Sequence, residues 1–244
     1  MAPLTLFLIV LIVSLLIGAI SFLGIFSFLS LIEAILPAIA IFLVAFFWLS
    51  RRIAKRMESI MLEAQREFQK NRIERGLAML EDLKKRYGRW QFFAASALDG
   101  QIGSVYYLRQ EFDRAKPYLD RAFAKHWIAK AMLAIMAFKK RDYEAMDKIF
   151  SAAVRYSSKQ GLLWNLWAYC HWKLGQNNRA IEILNNGQKK LGESDPNLSA
   201  NLINVKNNKK MKMRGYGEQW YQFHLEVSPQ IKEMQGQRVK FARR

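Results

Sequence analysis

Three stretches decide how this chain folds: EFDRAKPYLDRAF at residues 111–123, RDYEAMDKIFSAA at 141–153 and NNRAIEILNNG at 177–187. Each repeats one spacing, with a large apolar residue four positions after the first marker and a small one three positions later. The triplets are Ala115, Leu119, Ala122, then Met146, Phe150, Ala153, then Ala180, Leu184, Gly187, at steps of 31 and 34 residues. A fainter copy, Gly76, Leu80, Leu83 in NRIERGLAMLEDL (71–83), precedes them by 39. Upstream of the three clear copies lies a second apolar stripe at helical spacing, with small residues at Gly103, Ala134 and Ala168. Recurrence at three and four predicts helices from Arg51 to about Gly192. Small residues let two helix backbones approach closely, and Leu119, Phe150 and Leu184 fill the seam between neighbouring helix pairs. No pair buries enough alone, so a stack with caps at both ends is expected. Asp195-Pro196 reads as the start of a C-terminal capping helix, 195–206, with proline at its first position.

In this register the chain resembles the tetratricopeptide (TPR) repeat, whose helix–turn–helix pattern runs W-x2-L-G-x2-Y, A-x3-F, P. Ile102-Gly103-x2-Tyr106 with Ala115-x3-Leu119 carry the likeness in one unit; Trp164, Ala168, Gly175, Ala180 and Leu184 carry it in another. Asp99 replaces the tryptophan, His171 replaces the tyrosine, and the terminal proline is missing throughout. The expected units are about 57–88, 96–126, 127–158 and 161–192, with 193–244 as capping helix and tail. The resemblance implies that the first helix of each unit lines a concave face. Tyr107, Ile135, Phe138, Lys139, Asn165, Tyr169, Trp172 and Lys173 then form an aromatic groove with basic edges, suited to anchoring a protein segment.

The first fifty residues are a different material. They contain no Lys or Arg and one acid, Glu33, so the other 194 residues hold 38 basic against 19 acidic side chains. Leu4 to Leu49 is more than twice the ~20 apolar residues one span needs. Gly24, Ser27 and Ser30 break the run, which predicts a transmembrane helical hairpin with spans at about 4–23 and 31–49. A signal peptide fits poorly: the segment lacks a basic start, is too long, and meets charge rather than a small-residue cleavage site. Arg51, Arg52, Lys55 and Arg56 follow directly and favour a cytoplasmic soluble part, at a bacterial inner membrane. Together with Lys209, Lys210 and Lys212 they are candidate contacts for anionic lipid.

The tail carries NVKNNKKMKMRG (204–215), read as too polar to bury itself, and then YGEQWYQFHLEV (216–227). That second stretch fits both a strand period and a helical stripe, and its aromatics are expected to dock on the last repeat or in the groove. Catalytic signatures are missing: no P-loop, no G-x-S-x-G, and Gly215-Tyr216-Gly217 lacks the third glycine of a dinucleotide fingerprint. Cys170 and His171 are adjacent on a helix and point about 100° apart, which rules out a nucleophile–base pair. One cysteine and three histidines suggest no metal site, and no cofactor is implied. The expectation is an all-α, non-catalytic membrane-anchored TPR-like adaptor for a protein partner. Alternatives are a structural subunit of a membrane assembly (envelope polysaccharide, secretion or motility) acting through its hairpin, or a nucleic-acid tether acting through the basic tail.

Overall fold

The computed structural model describes residues 31–88 (31–38 by backbone only) and 94–227, with Leu8, Leu11, Ile12, Ser14, Leu15, Leu16, Ala19 and Pro229. Among the described residues the chain is helical, with no strand. It divides into two compact units, 1–98 and 99–244.

In the first unit, α1 (Leu31–Gln69) is one helix of 39 residues that runs through the change of composition at residue 50. It is ~58 Å long. α2 (Ile73–Tyr87) folds back along it, burying Gly76, Leu77, Leu80 and Leu83. These positions, spaced by one, three and three, form the single stripe that an amphipathic helix presents to a partner. Glu67 is buried at the turn, and Lys70, Arg72 and Arg75 approach its carboxylate at 3.8, 3.7 and 3.6 Å. Ile39, Leu43, Val44, Phe47 and Trp48 on α1 are exposed, Val44 by 70% and Trp48 by 61%. Among the described residues no helix is long and apolar enough to cross a membrane. The expected first span, 4–23, lies mostly outside the described residues, and the expected turn at 21–30 lies wholly outside them.

α3 (Ala94–Leu108) leads into the second unit. There follow α4 (Phe112–Arg121), α5 (Trp127–Lys139), α6 (Tyr143–Tyr156), α7 (Gly161–Lys173), α8 (Asn177–Leu191) and α9 (Pro196–Lys206). The helices come in pairs closed by one kind of turn. Gln110, Arg141 and Gly175 are left-handed, and the next residue's N–H returns to a carbonyl five positions back: Glu111 to Tyr106, Asp142 to Ala137, Gln176 to His171, each at 3.0 Å. This is the Schellman closure, which satisfies orphan carbonyls at a helix end. Asn71 in the first unit and Asn208 after α9 make the same turn. The left-handed positions 71, 110, 141, 175 and 208 step by 39, 31, 34 and 33, and each of the first four precedes a repeat marker by five residues.

The seam is filled as the spacing requires. Ala115, Leu119, Met146, Phe150, Ala153, Ala180 and Leu184 are buried, and a methyl added at Gly187 would meet Trp164 Cγ at 2.8 Å. α7 packs on both α5 and α6, and α9 packs on both α7 and α8. Asp142 and Asp195 cap α6 and α9 through their carboxylates, and His126 caps α5 through Nδ1.

Among the described residues after Asn208, none forms a long helix that pairs with α9. Residues 209–213 have no regular secondary structure, a 3-10 turn η1 (Arg214–Tyr216) follows, and then the four-residue α10 (Glu218–Tyr221). The reading of 204–215 as solvated is corrected here: Met211 and Met213 are buried, while Lys210, Lys212 and Arg214 between and beside them are exposed. Burial alternates along K-M-K-M-R, so the methionines go inward and the charges stay in water.

Candidate protein-binding face

The tail runs from α9 over α7 to α3 and is bonded to each of these three helices. Nearest α9, the fully buried Asn201 side chain reads the Lys212 backbone from both sides. Its Oδ1 accepts from Lys212 N at 2.6 Å and its Nδ2 donates to Lys212 O at 3.2 Å. Asn201 also donates to Asn165 Oδ1 on α7 at 2.9 Å. Asn165 donates to the Tyr216 hydroxyl at 2.6 Å, and Tyr216 donates to Asp195 Oδ2 at 2.8 Å. Asp195 therefore serves twice, since its other oxygen caps α9. A side chain at Gly161 would collide with that carboxylate, so the start of α7 has to be glycine for the ladder to close. Burial, then the bond to Asp195, pushes the Tyr216 phenol well above its usual range and keeps it a donor.

Further along, Trp220 is fully buried against Tyr169, the rings edge-on with centroids 4.7 Å apart. The Tyr169 hydroxyl donates to Glu226 Oε1 at 2.9 Å, and Trp220 Nε1 donates to Glu226 Oε2 at 3.3 Å. Burial is the main reason the Tyr169 phenol is pushed up, with the Glu226 carboxylate adding to it. At the far end, Phe223 is fully buried and its carbonyl accepts from the Tyr107 hydroxyl of α3 at 2.9 Å. The ring of His224 lies 5.6 Å from that of Tyr107.

Of the two docking places expected for the tail aromatics, the groove is the one they occupy. Tyr107, Ile135, Asn165 and Tyr169 are buried, three of them bonded to or stacked on the chain's own residues 216–226. The physical reason is composition: Trp220, Phe223, Met211 and Met213 would otherwise leave a large apolar area in water. Phe138 and Trp172 remain half-buried, and Lys139 and Lys173 exposed, at the rim of the same face. The Lys139 and Lys173 ammonium groups sit over rings, Lys139 5.4 Å from Phe112 and Lys173 5.2 Å from Trp172. Burial lowers the pKa of Lys139.

Sequence reasoning passed over Asn201, Asp195 as a ladder member, Tyr216 and Glu226. The alternation of Met211 and Met213 and the i, i+3, i+6 spacing of Trp220, Phe223 and Glu226 were the available signals. Arg51, Arg52, Lys55 and Arg56 are exposed on α1, with Arg52 5.5 Å over Trp48. Lys209, Lys210 and Lys212 are exposed in the second unit.

Elsewhere, His171 is held between Asp147 and Gln176, each at 2.7 Å, and Trp167 donates to the same Asp147 oxygen at 2.6 Å. Its neighbour Cys170 is buried, and that burial pushes its thiol up, against the thiolate a nucleophile requires. Among the described residues no cluster of His, Cys, Asp and Glu is arranged to hold a metal ion. Comparison with family models, with curated proteins and with solved structures yields no match to this chain.

Proposed function

We propose that the chain is a non-catalytic adaptor, a TPR-like helical-repeat module tethered to a membrane by its apolar N-terminal segment and presenting the α3–α5–α7 face to a protein partner in the cytoplasm. The observation that carries this reading is what the face already holds. An irregular aromatic segment lies across three repeats and is gripped by tyrosine hydroxyls and aromatic stacking, which is how repeat arrays hold peptides. The exposed apolar side chains of α1, Ile39 to Trp48, followed at once by Arg51 and Arg52, support the tether.

The test is crosslinking and affinity capture of the full chain from gently solubilised membranes, with Trp172→Glu and Lys139→Glu at the rim as the comparison. These two side chains are not buried, so the fold should survive. A defined set of proteins lost in the double variant is the expected result, and a set that persists unchanged would defeat the reading.

The same exposed stretch of α1 supports a second reading, an assembly subunit whose main contacts are helix to helix within the membrane. Replacing residues 1–49 with an unrelated apolar hairpin separates the two: an adaptor keeps its partner and an assembly subunit loses it.

A further inference from the structure

The tail is fixed by two unlike halves. Residues 209–216 are locked by the Asn201–Asn165–Tyr216–Asp195 ladder and by two buried methionines, so that half is part of the fold. Residues 218–227 hold on by Trp220, Phe223 and two tyrosine hydroxyls. Between the halves stands Gly217 at φ +58, with open space where a side chain would be. A glycine in this conformation turns at little cost and is where a segment pivots.

The second half also carries local conflict. His224 is a non-glycine residue at φ +53, and its buried Nε2 has no hydrogen-bond partner. A left-handed backbone is unfavourable for any residue with a side chain, and an unpaired buried nitrogen forfeits the hydrogen bond it would make in water. These penalties fall within 218–227 and have no counterpart in 209–216. Both weaken the attachment of this half relative to the half before it.

From this asymmetry we infer that residues 218–227 are a displaceable plug hinged at Gly217, and that the face beneath binds an acidic, aromatic peptide segment of a partner with the spacing Trp-x2-Phe-x2-Glu. The ligand chemistry is read from the site. Tyr169 offers an aromatic edge for a tryptophan and a hydroxyl for a carboxylate. Tyr107 offers a donor to a main-chain carbonyl, which any sequence supplies. Lys139 and Lys173 are exposed at the rim, with no carboxylate partner among the described residues, and favour an acidic peptide over a basic one. The inference rests on the adaptor reading and adds its ligand and its control: the partner competes with the plug.

The experiment titrates a fluorescein-labelled peptide of residues 218–227 onto the full chain in detergent, as wild type and as Trp220→Ala/Phe223→Ala. The emptied face is expected to bind at least about tenfold more tightly than wild type, and the same peptide with its own Trp and Phe changed to Ala is expected not to bind. Equal affinity for the two proteins, or no binding to the variant, overturns the proposal. Hydrogen exchange on the wild type needs no variant: amides of 218–227 should exchange at least about tenfold faster than those of 210–216, and equal rates in the two halves overturn the hinge. Neither measurement involves a cellular partner. A negative capture experiment therefore counts against the adaptor alone, and a negative titration against the plug.

Discussion

Tyr107 on α3 donates its hydroxyl proton to the main-chain carbonyl of Phe223, a residue 116 positions later in the chain. That bond joins the first helix pair of the second unit to the turn at 221–224 of the tail, past the two intervening pairs. The tail therefore staples the array as well as filling its face, and stability and occupancy of the face are coupled.

The Tyr169–Glu226 bond measures that coupling. Tyr169→Phe and Glu226→Gln should each destabilise the fold, and a double-mutant cycle should return a coupling energy of about 1 to 2 kcal/mol, because the carboxylate's bond is charge-assisted. Urea denaturation of the four proteins decides it; additivity within about 0.3 kcal/mol would mean the bond contributes nothing.

Asn201→Ala is expected to be among the most damaging single changes. It leaves the Lys212 N–H and Asn165 Oδ1 unpaired in the interior, for a loss of about 3 kcal/mol. Gly161→Ala should act on the same ladder from the other side, by driving its methyl into the Asp195 carboxylate. Thermal melts followed by helical circular dichroism report both, and a melting temperature within a degree of wild type for Asn201→Ala would remove the ladder from the account.

Gln110 and Arg141 are exposed, left-handed residues in turns where Gly175 performs the same task. Gln110→Gly and Arg141→Gly should each stabilise by about 0.5 to 1 kcal/mol, the relief of left-handed strain less the entropy glycine loses on folding. Gly175→Ala should destabilise. Chemical denaturation with the opposite order of signs would contradict the turn assignment.

Acid should loosen the fold before the carboxylates titrate. His126 caps α5 with a neutral Nδ1 that accepts from Ala129 N at 3.2 Å, and burial, the larger cause, with Lys130 holds its pKa below the ordinary 6.5. His224 is lowered in the same sense by burial and then by Lys139. A depressed histidine leaves the unfolded chain binding the proton first, so the stability it contributes is complete above about pH 6.5 and is lost as pH falls from there through the folded value. The melting temperature should be level from about pH 8 to 7 and decline below about 6.5. His126→Asn, which keeps a capping oxygen, should flatten part of that decline; an unchanged slope would show that His126 does not titrate with folding.

How far the sequence revealed this arrangement differs from one end of the array to the other. The all-helical class follows from spacing alone, and the irregular steps now have a cause. The step of 31 reflects α4, which at 10 residues is shorter than α6 at 14 or α8 at 15. Part of the step of 39 comes from longer helices, α2 and α3 having 15 residues each against 14 in α6 and 13 in α7. Occupancy of the face was harder to read. Tyr107, Asn165 and Tyr169 carry the same residue types whether the face is empty or filled, and only the partner segment distinguishes the cases. That segment, 209–227, has no single period: burial alternates around Met211 and Met213, then falls at three-residue spacing on Trp220 and Phe223. A window tuned to either period alone reads half of it.

The central claim is that the α3–α5–α7 face receives a partner's segment in competition with the chain's own tail. The most direct measurement places a photo-crosslinking amino acid at Trp172, on the rim, in the full chain expressed in its own cells. Irradiation is predicted to give a discrete protein adduct whose yield rises when Trp220→Ala weakens the plug. Adducts confined to the chain itself, or an intermolecular yield that does not respond to Trp220→Ala, would contradict it.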